Sequence, residues 1–177
     1  EYSVYGLGEW GSLKQGLVFP EYEIIREFPE DCKRMGYGLD WGFYPDPTAV
    51  VRCGIHNGRL ILDEVIYEQN LTSKPRVELM ERRGIPRNAK IIADRNPEAI
   101  EEMRILGYRN IIGAAKGPGS IKAGIDQMKQ YKLCITERSV NIKRELDNYS
   151  WEVERMSEVL TGIPVDAFNH SIDAARY

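Results

Sequence analysis

The stretch that most constrains this chain runs from residue 37 to residue 67, where three apolar runs are separated by turn signals. Residues 37–43 (YGLDWGF) read as a short strand, and the YPDP segment at 44–47 turns the chain. Residues 48–56 (TAVVRCGIH) read as a second strand. Asn57-Gly58 is the dipeptide that a two-residue hairpin favours, and residues 59–67 (RLILDEVIY) are the returning strand. Three consecutive strands joined this way make an antiparallel meander.

After residue 67 the pattern changes to helices and strands in alternation. A helix over 73–83 is opened by Thr72 or Ser73 and keeps helical spacing through Val77, Leu79 and Met80. Residues 90–94 (KIIAD) form a short strand that ends on an acid. The next helix, 97–106, has Pro97 in its first turn and stops at Gly107. A strand at 110–112, a Gly-rich loop, a helix over 120–131, a strand at 133–136, a helix over 139–148 and a last helix from near Asp166 complete the order. The expected class is α/β: a mixed central sheet, built as a meander followed by alternating helices and strands, flanked by helices. Residues 1–35 stand apart, with Gly6, Gly8, Gly11 and Gly16 among aromatic residues and no helical period. They read as an irregular arm or linker containing a short strand-like piece at 21–28, with the domain proper at 36–177.

At 177 residues, 42% of them hydrophobic, the chain can bury one substantial core. Lys+Arg number 24 against 27 Asp+Glu, for a net charge of −3. That balance argues against gripping nucleic acid by bulk positive charge, but not against a nucleic-acid enzyme whose acids hold metal ions. Cys32, Cys53 and Cys134 include no CxxC pair, so neither a disulfide framework nor a structural zinc site is expected, and a reducing, intracellular setting is. No run approaches the roughly 18 apolar residues of a membrane span. Opening on Glu1 and ending on Tyr177, the chain is expected to be a piece of a longer polypeptide.

The acids that carry chemistry stand in apolar or ordered surroundings. Asp40 sits among Leu39, Trp41 and Phe43, where an unpaired carboxylate is costly; it either faces solvent or an arginine, or it serves a site. Asp94 ends the run Ile91-Ile92-Ala93 and is either a cap for the following helix or a second site acid. Asp166, His170 and Asp173 fall at i, i+4 and i+7, on one face of the expected last helix. Asp166 reads as the cap of that helix, while His170 and Asp173 are close enough to share a ligand. Three acids from two strands and one helix suit two hard divalent cations bound through oxygen, and an imidazole tilts the choice towards Mn²⁺. Such a pair can activate water and stabilise the leaving oxygen of a phosphodiester.

The segments YGLDWGFYPDPTAV, KIIADRNPEAIEEMRILGY, AAKGPGSIKAGI and PVDAFNHSIDAARY, in this order, resemble the nuclease domain of tailed-bacteriophage terminase large subunits. The likeness runs from about Glu9 to the end, and NHSIDAARY is its most specific piece. It implies a ribonuclease H-like fold and cleavage of double-stranded, concatemeric viral DNA during genome packaging, with little sequence specificity. Two Mg²⁺ or Mn²⁺ ions are implied, held by Asp40, Asp94 and Asp173, with His170 beside them. The family's commoner second motif has small residues and an acid after the aspartate; here Arg95-Asn96 stand there, and Glu98 receives no role. Implied partners are an ATPase domain of the same polypeptide upstream of this piece, the portal protein and the small terminase subunit. The implied place is the procapsid packaging motor in the host cytoplasm. A Holliday-junction resolvase or ribonuclease H-type enzyme of the same fold, and a non-catalytic DNA-docking domain, are the alternatives.

Residues 113–120 (GAAKGPGS) only superficially resemble a phosphate-cradling loop, and no GxxxxGK[ST] run occurs, so this piece is not expected to hydrolyse ATP. Lys116 and Ser120 are candidate contacts to DNA phosphate beside the metals, as the resemblance favours. Lys122 and Lys129, seven apart on the helix that follows, are either a solvated face or one side of a DNA groove.

Overall fold

The computed structural model of the chain describes residues 16–154 and 159–177. The meander is β2 (Lys33–Asp40), β3 (Thr48–His56) and β4 (Arg59–Glu68), preceded by a short β1 (Glu23–Ile25). The alternating part is α1 (Ser73–Arg82), β5 (Ile91–Ala93), α2 (Pro97–Ile105), β6 (Ile111–Gly113), α3 (Ser120–Met128), β7 (Lys132–Thr136) and α4 (Val140–Leu146). A hairpin, β8 (Trp151–Val153) with β9 (Leu160–Pro164), and the last helix, α5 (His170–Arg176), complete the chain.

Seven strands form one mixed sheet in the order β1-β7-β4-β3-β2-β5-β6. The β2/β3 and β3/β4 pairs are antiparallel; β2/β5, β5/β6, β4/β7 and β1/β7 are parallel. Both faces are covered, as parallel pairs reached through crossover helices require. On one face Val77 and Met80 of α1 and Ile100 and Met103 of α2 pack on Tyr37, Leu39 and Val50. On the other, residues of α3, α4 and α5 pack on Ala49, Val51, Leu60 and Leu62.

Side chains alternate across β2. Tyr37, Leu39 and Trp41 enter the core under α1 and α2, while Gly38 lies beneath α5. A Cβ built on Gly38 would stand 1.6 Å from the carbonyl oxygen of Ala174, so no larger residue lets α5 lie this close to β2. Asp40, two residues on, shares the Gly38 face and therefore meets α5.

Several expectations need correction. Residues 21–28 contain β1, which extends the sheet by pairing with β7, and Val18 and Phe19 are core residues. Of the arm read over residues 1–35, the described part is thus built into the domain; residues 1–15 lie outside the described residues. The first strand of the meander ends at Asp40 rather than continuing to Phe43. The hairpin β8/β9 has no counterpart among the expected elements. The last helix starts at His170, not near Asp166, because Phe168 takes a left-handed backbone (φ 55°) that a continuous helix cannot contain. Asp166 therefore shares no helix face with His170, and Asn169 holds the N-cap position, its side-chain amide donating to Asp166 Oδ1 at 3.1 Å. Nor does Asp94 cap α2: Asn96 does, accepting from Ala99 N at 3.1 Å. Cys32, Cys53 and Cys134 are free thiols.

Candidate metal centre

Parallel neighbours end at the same sheet edge, so β2 and β5 bring Asp40 and Asp94 side by side. The backbone locks them in step: Asp94 N donates to Leu39 O at 2.8 Å, and the Trp41 indole donates to Asp94 O at 2.8 Å. α5 crosses β2 above Gly38 and adds Asp173 and His170. His170 Nδ1 lies 3.2 Å from Asp40 Oδ2, and its Nε2 lies 3.7 Å from Asp46 Oδ1 in the loop after β2. The three carboxylates and His170 are thus neighbours, each partly open, with side-chain exposures of 14% for Asp40, 27% for Asp94, 20% for Asp173 and 24% for His170.

Each acid is matched with a donor or cation. Lys116, on the loop leaving β6, forms an ion pair with Asp94 and also lies over the Tyr177 ring. Arg176 donates to Asp173 Oδ1 from Nε at 3.2 Å and from a terminal nitrogen at 3.0 Å. The Tyr177 hydroxyl donates to Asp40 Oδ1 at 3.4 Å. Burial raises the Asp40 carboxyl above the usual carboxylate range against the pull of His170, and repulsion from Asp94 adds to the rise. Burial likewise raises Asp173 against Arg176, with Asp40 adding repulsion. The Asp40 hydrogen bond raises His170, favouring imidazolium.

The donor set is hard oxygen with one imidazole, which fits Mg²⁺ or Mn²⁺ and not a thiolate-seeking metal. Among the described residues no three His, Cys, Asp or Glu side chains already converge on one point; Lys116, His170 and Arg176 supply the positive charge instead. The fit lies in the chemistry: two raised carboxyls next to a third gain from any added cation.

The DNA-contact candidates have different surroundings. Ser120 opens α3, Lys122 pairs with Asp126 at 2.7 Å in solvent, and Lys129 lies over Trp151 (5.0 Å) and Phe19 (5.8 Å). Sequence reasoning did not single out Arg176, Tyr177 or Glu145. A signal for Tyr177 was present, since His170, Asp173 and Tyr177 stand at i, i+3 and i+7. Glu145 of α4 is fully buried, and its Oε2 accepts from Ser171 N at 2.8 Å and Ile172 N at 3.1 Å. Its Oε1 accepts from the Tyr67 hydroxyl at 2.9 Å. It therefore caps α5 from outside, where Asn169 makes no side-chain capping bond.

Comparison with known proteins agrees with this architecture. The family described as Terminase RNAseH like domain matches residues 40–177, a range that begins at Asp40 and takes in all four candidate residues. The large terminase subunit of Bacillus phage SPP1 is 31% identical over 146 residues, covering 79% of this chain and 34% of that protein. The chain thus spans about a third of that relative's length. The crystal structure of the SPP1 large terminase nuclease domain with bound Mn superposes with a TM-score of 0.77 at 25% identity, covering 91% of this chain and 96% of that one. The large terminase of a thermophilic bacteriophage shares the fold at a TM-score of 0.67 and 21% identity, over 92% of this chain and 44% of that one. The mixed sheet with helices on both faces is the ribonuclease H-like fold, and the chain belongs to the terminase RNase H-like domain family.

Proposed function

We propose that this domain is the divalent-metal-dependent endonuclease of a phage packaging terminase and cuts double-stranded viral DNA with little sequence preference. The observation that carries the reading is the pairing of Asp40 and Asp94 at one sheet edge with Asp173 of α5 close to Asp40, two of the carboxyls being raised. The Mn-bound SPP1 nuclease domain supports it.

Asp40, Asp94 and Asp173 would hold two Mg²⁺ or Mn²⁺ ions. Bound there, the ions supply an activated water and neutralise charge on the leaving oxygen. Lys116 exchanges Asp94 for a substrate phosphate, carrying its positive charge to the backbone being cut. His170, held by Asp40 at Nδ1, would orient the attacking water through Nε2. Arg176 and Tyr177 fix the rotamers of Asp173 and Asp40. Ser120, Lys122 and Lys129 would contact the DNA backbone further along, Lys129 from beside Trp151. In the whole protein an ATPase domain would precede this one, and the portal and small subunit would govern DNA access at the procapsid in the host cytoplasm.

The substrate assignment is tested by offering the domain linear duplex, a four-way junction and an RNA–DNA hybrid of equal length in Mn²⁺. Duplex DNA should be cut at least as fast as the others, and EDTA should stop it. Selective cutting of the junction or the hybrid would assign the site to a resolvase or ribonuclease H activity.

A further inference from the structure

Beside the carboxylates, on the α1/α2 face of the sheet, lies a cleft of about 580 Å³ whose lining includes Trp41, Phe43, Thr72, Arg76, Asn96 and Glu98. Arg76 is only 6% exposed. One terminal nitrogen donates to Leu71 O at 2.6 Å, Nε has no partner, and the guanidinium lies 4.8 Å over the Trp41 ring. Among the described residues no carboxylate forms an ion pair with it. Glu102, the acid that attracts it, lines the same cleft and accepts the Ser73 hydroxyl at 2.5 Å, and Glu98 stands exposed on the rim. Burial lowers the Arg76 pKa against the attraction of Glu102, and the guanidinium stays charged, so this is a buried cation that no ion pair neutralises directly.

The same cleft receives the N-terminus of α1, a ten-residue helix with no side-chain cap and no acid in its first turn. Its partial positive charge and the N–H groups of Ser73 and Lys74 suit an anion; Pro75, third in the helix, has no N–H to offer. Trp41 connects the cleft to the carboxylates, following Asp40 in sequence and donating its indole N–H to Asp94 O. Phe43 and Tyr44, 67% and 81% exposed, stand at the mouth, where bases can stack on them.

We propose that this cleft is a phosphate subsite in which Arg76 and the α1 N-terminus grip a backbone phosphate of the DNA strand next to the one being cut. The DNA assignment rests on the nuclease reading; the phosphate chemistry does not. Arg76 sets the register of the strand, so that the scissile phosphate meets Asp40, Asp94 and Asp173.

Two substitutions test this, both read in EDTA on the intact 177-residue chain. Arg76→Gln removes the cation but also disturbs the core. Thr72→Asp keeps a capping residue at the head of α1, leaving the melting temperature near the parent's, while its charge repels phosphate. Inorganic phosphate should raise the melting temperature of the parent and not of Thr72→Asp. Duplex affinity near 0.1 M salt should fall about tenfold in both variants, with the salt slope shallower by about 0.9, the share of one phosphate. A well-folded Thr72→Asp with parental slope and parental response to phosphate overturns the proposal. A lost phosphate response with an unchanged slope overturns the DNA assignment and leaves a site for free phosphate. A changed slope in a parent that never cuts DNA in Mn²⁺ sinks the nuclease reading and keeps the phosphate site.

Discussion

Asp40→Asn and Asp173→Asn are each expected to abolish Mn²⁺-dependent cleavage while raising the melting temperature of the metal-free domain. The two effects share one cause. Burial raises both carboxyls, and repulsion within the acidic group adds to the rise, so the ionised forms are held at a cost to the fold. A carboxyl raised in the folded state binds protons more tightly there than in the unfolded chain. Stability therefore falls as pH climbs from the ordinary carboxylate pKa through the raised one, and stays lower above it. Asparagine removes that penalty, so the gap in melting temperature should open above about pH 4 and persist at pH 8. The catalytic loss should exceed the roughly 10–100-fold that removing an outer-shell partner of a metal typically costs. Adding Mn²⁺ should raise the melting temperature of the parent by binding the folded state, and hardly raise that of either variant. Equal stability of parent and variants in EDTA would mean that the acids are not held against their preference.

Glu145→Ala should cost about 3 kcal/mol or more and remove cleavage without touching a proposed ligand. The carboxylate satisfies two buried N–H groups at the start of α5 and the Tyr67 hydroxyl, and each orphaned group costs about 1–3 kcal/mol. In a domain of this size that is a drop of roughly 6–12 °C. His170 and Asp173 ride on the helix thus released. Glu145→Gln separates charge from capping, because the amide keeps an acceptor for the N–H groups. Burial pushes the Glu145 carboxyl up to about 7, outweighing the donors that favour its ionised form. Folded Glu145 therefore holds its proton between about pH 4.5 and 7, and parent stability falls across that window by up to about 3 kcal/mol. Denaturation midpoints at pH 5 and pH 8 should show a steeper decline for the parent than for Glu145→Gln. Parallel curves would mean that Glu145 is ionised throughout.

Elements defined by local chemistry were legible in the sequence. β3 matches its expected bounds, and the hairpin at Asn57-Gly58 has positive φ at both residues, as its dipeptide requires. α2 begins at Pro97, and Gly107 follows its end with φ 108°. Elements defined by distant partners were not. The strand-like piece at 21–28 does contain β1, but its place in the sheet was not legible: three residues long, it pairs with β7, far downstream, which offers an open edge. The start of α5 depended on the backbone of Phe168 rather than on the spacing of Asp166 and His170. At the site, motif and apolar context picked out Asp40, Asp94, Asp173 and His170. The groups that hold them escaped notice in that role. Lys116 was singled out as a DNA contact but not as the partner of Asp94, which it reaches only because the loop after β6 folds back, and Glu145 sits in a charged run (KRELD) that reads as solvated helix. Gly38 showed no sign that it admits the backbone of Ala174.

Asp40, Asp94 and Asp173 are proposed to hold together the ions that cut DNA. Anomalous diffraction from crystals of this domain soaked in Mn²⁺ tests this most directly. Mn²⁺ peaks bounded by these three carboxylates are expected, with Lys116 displaced from Asp94. Mn²⁺ bound elsewhere, with the Lys116–Asp94 and Arg176–Asp173 pairs intact, would contradict it.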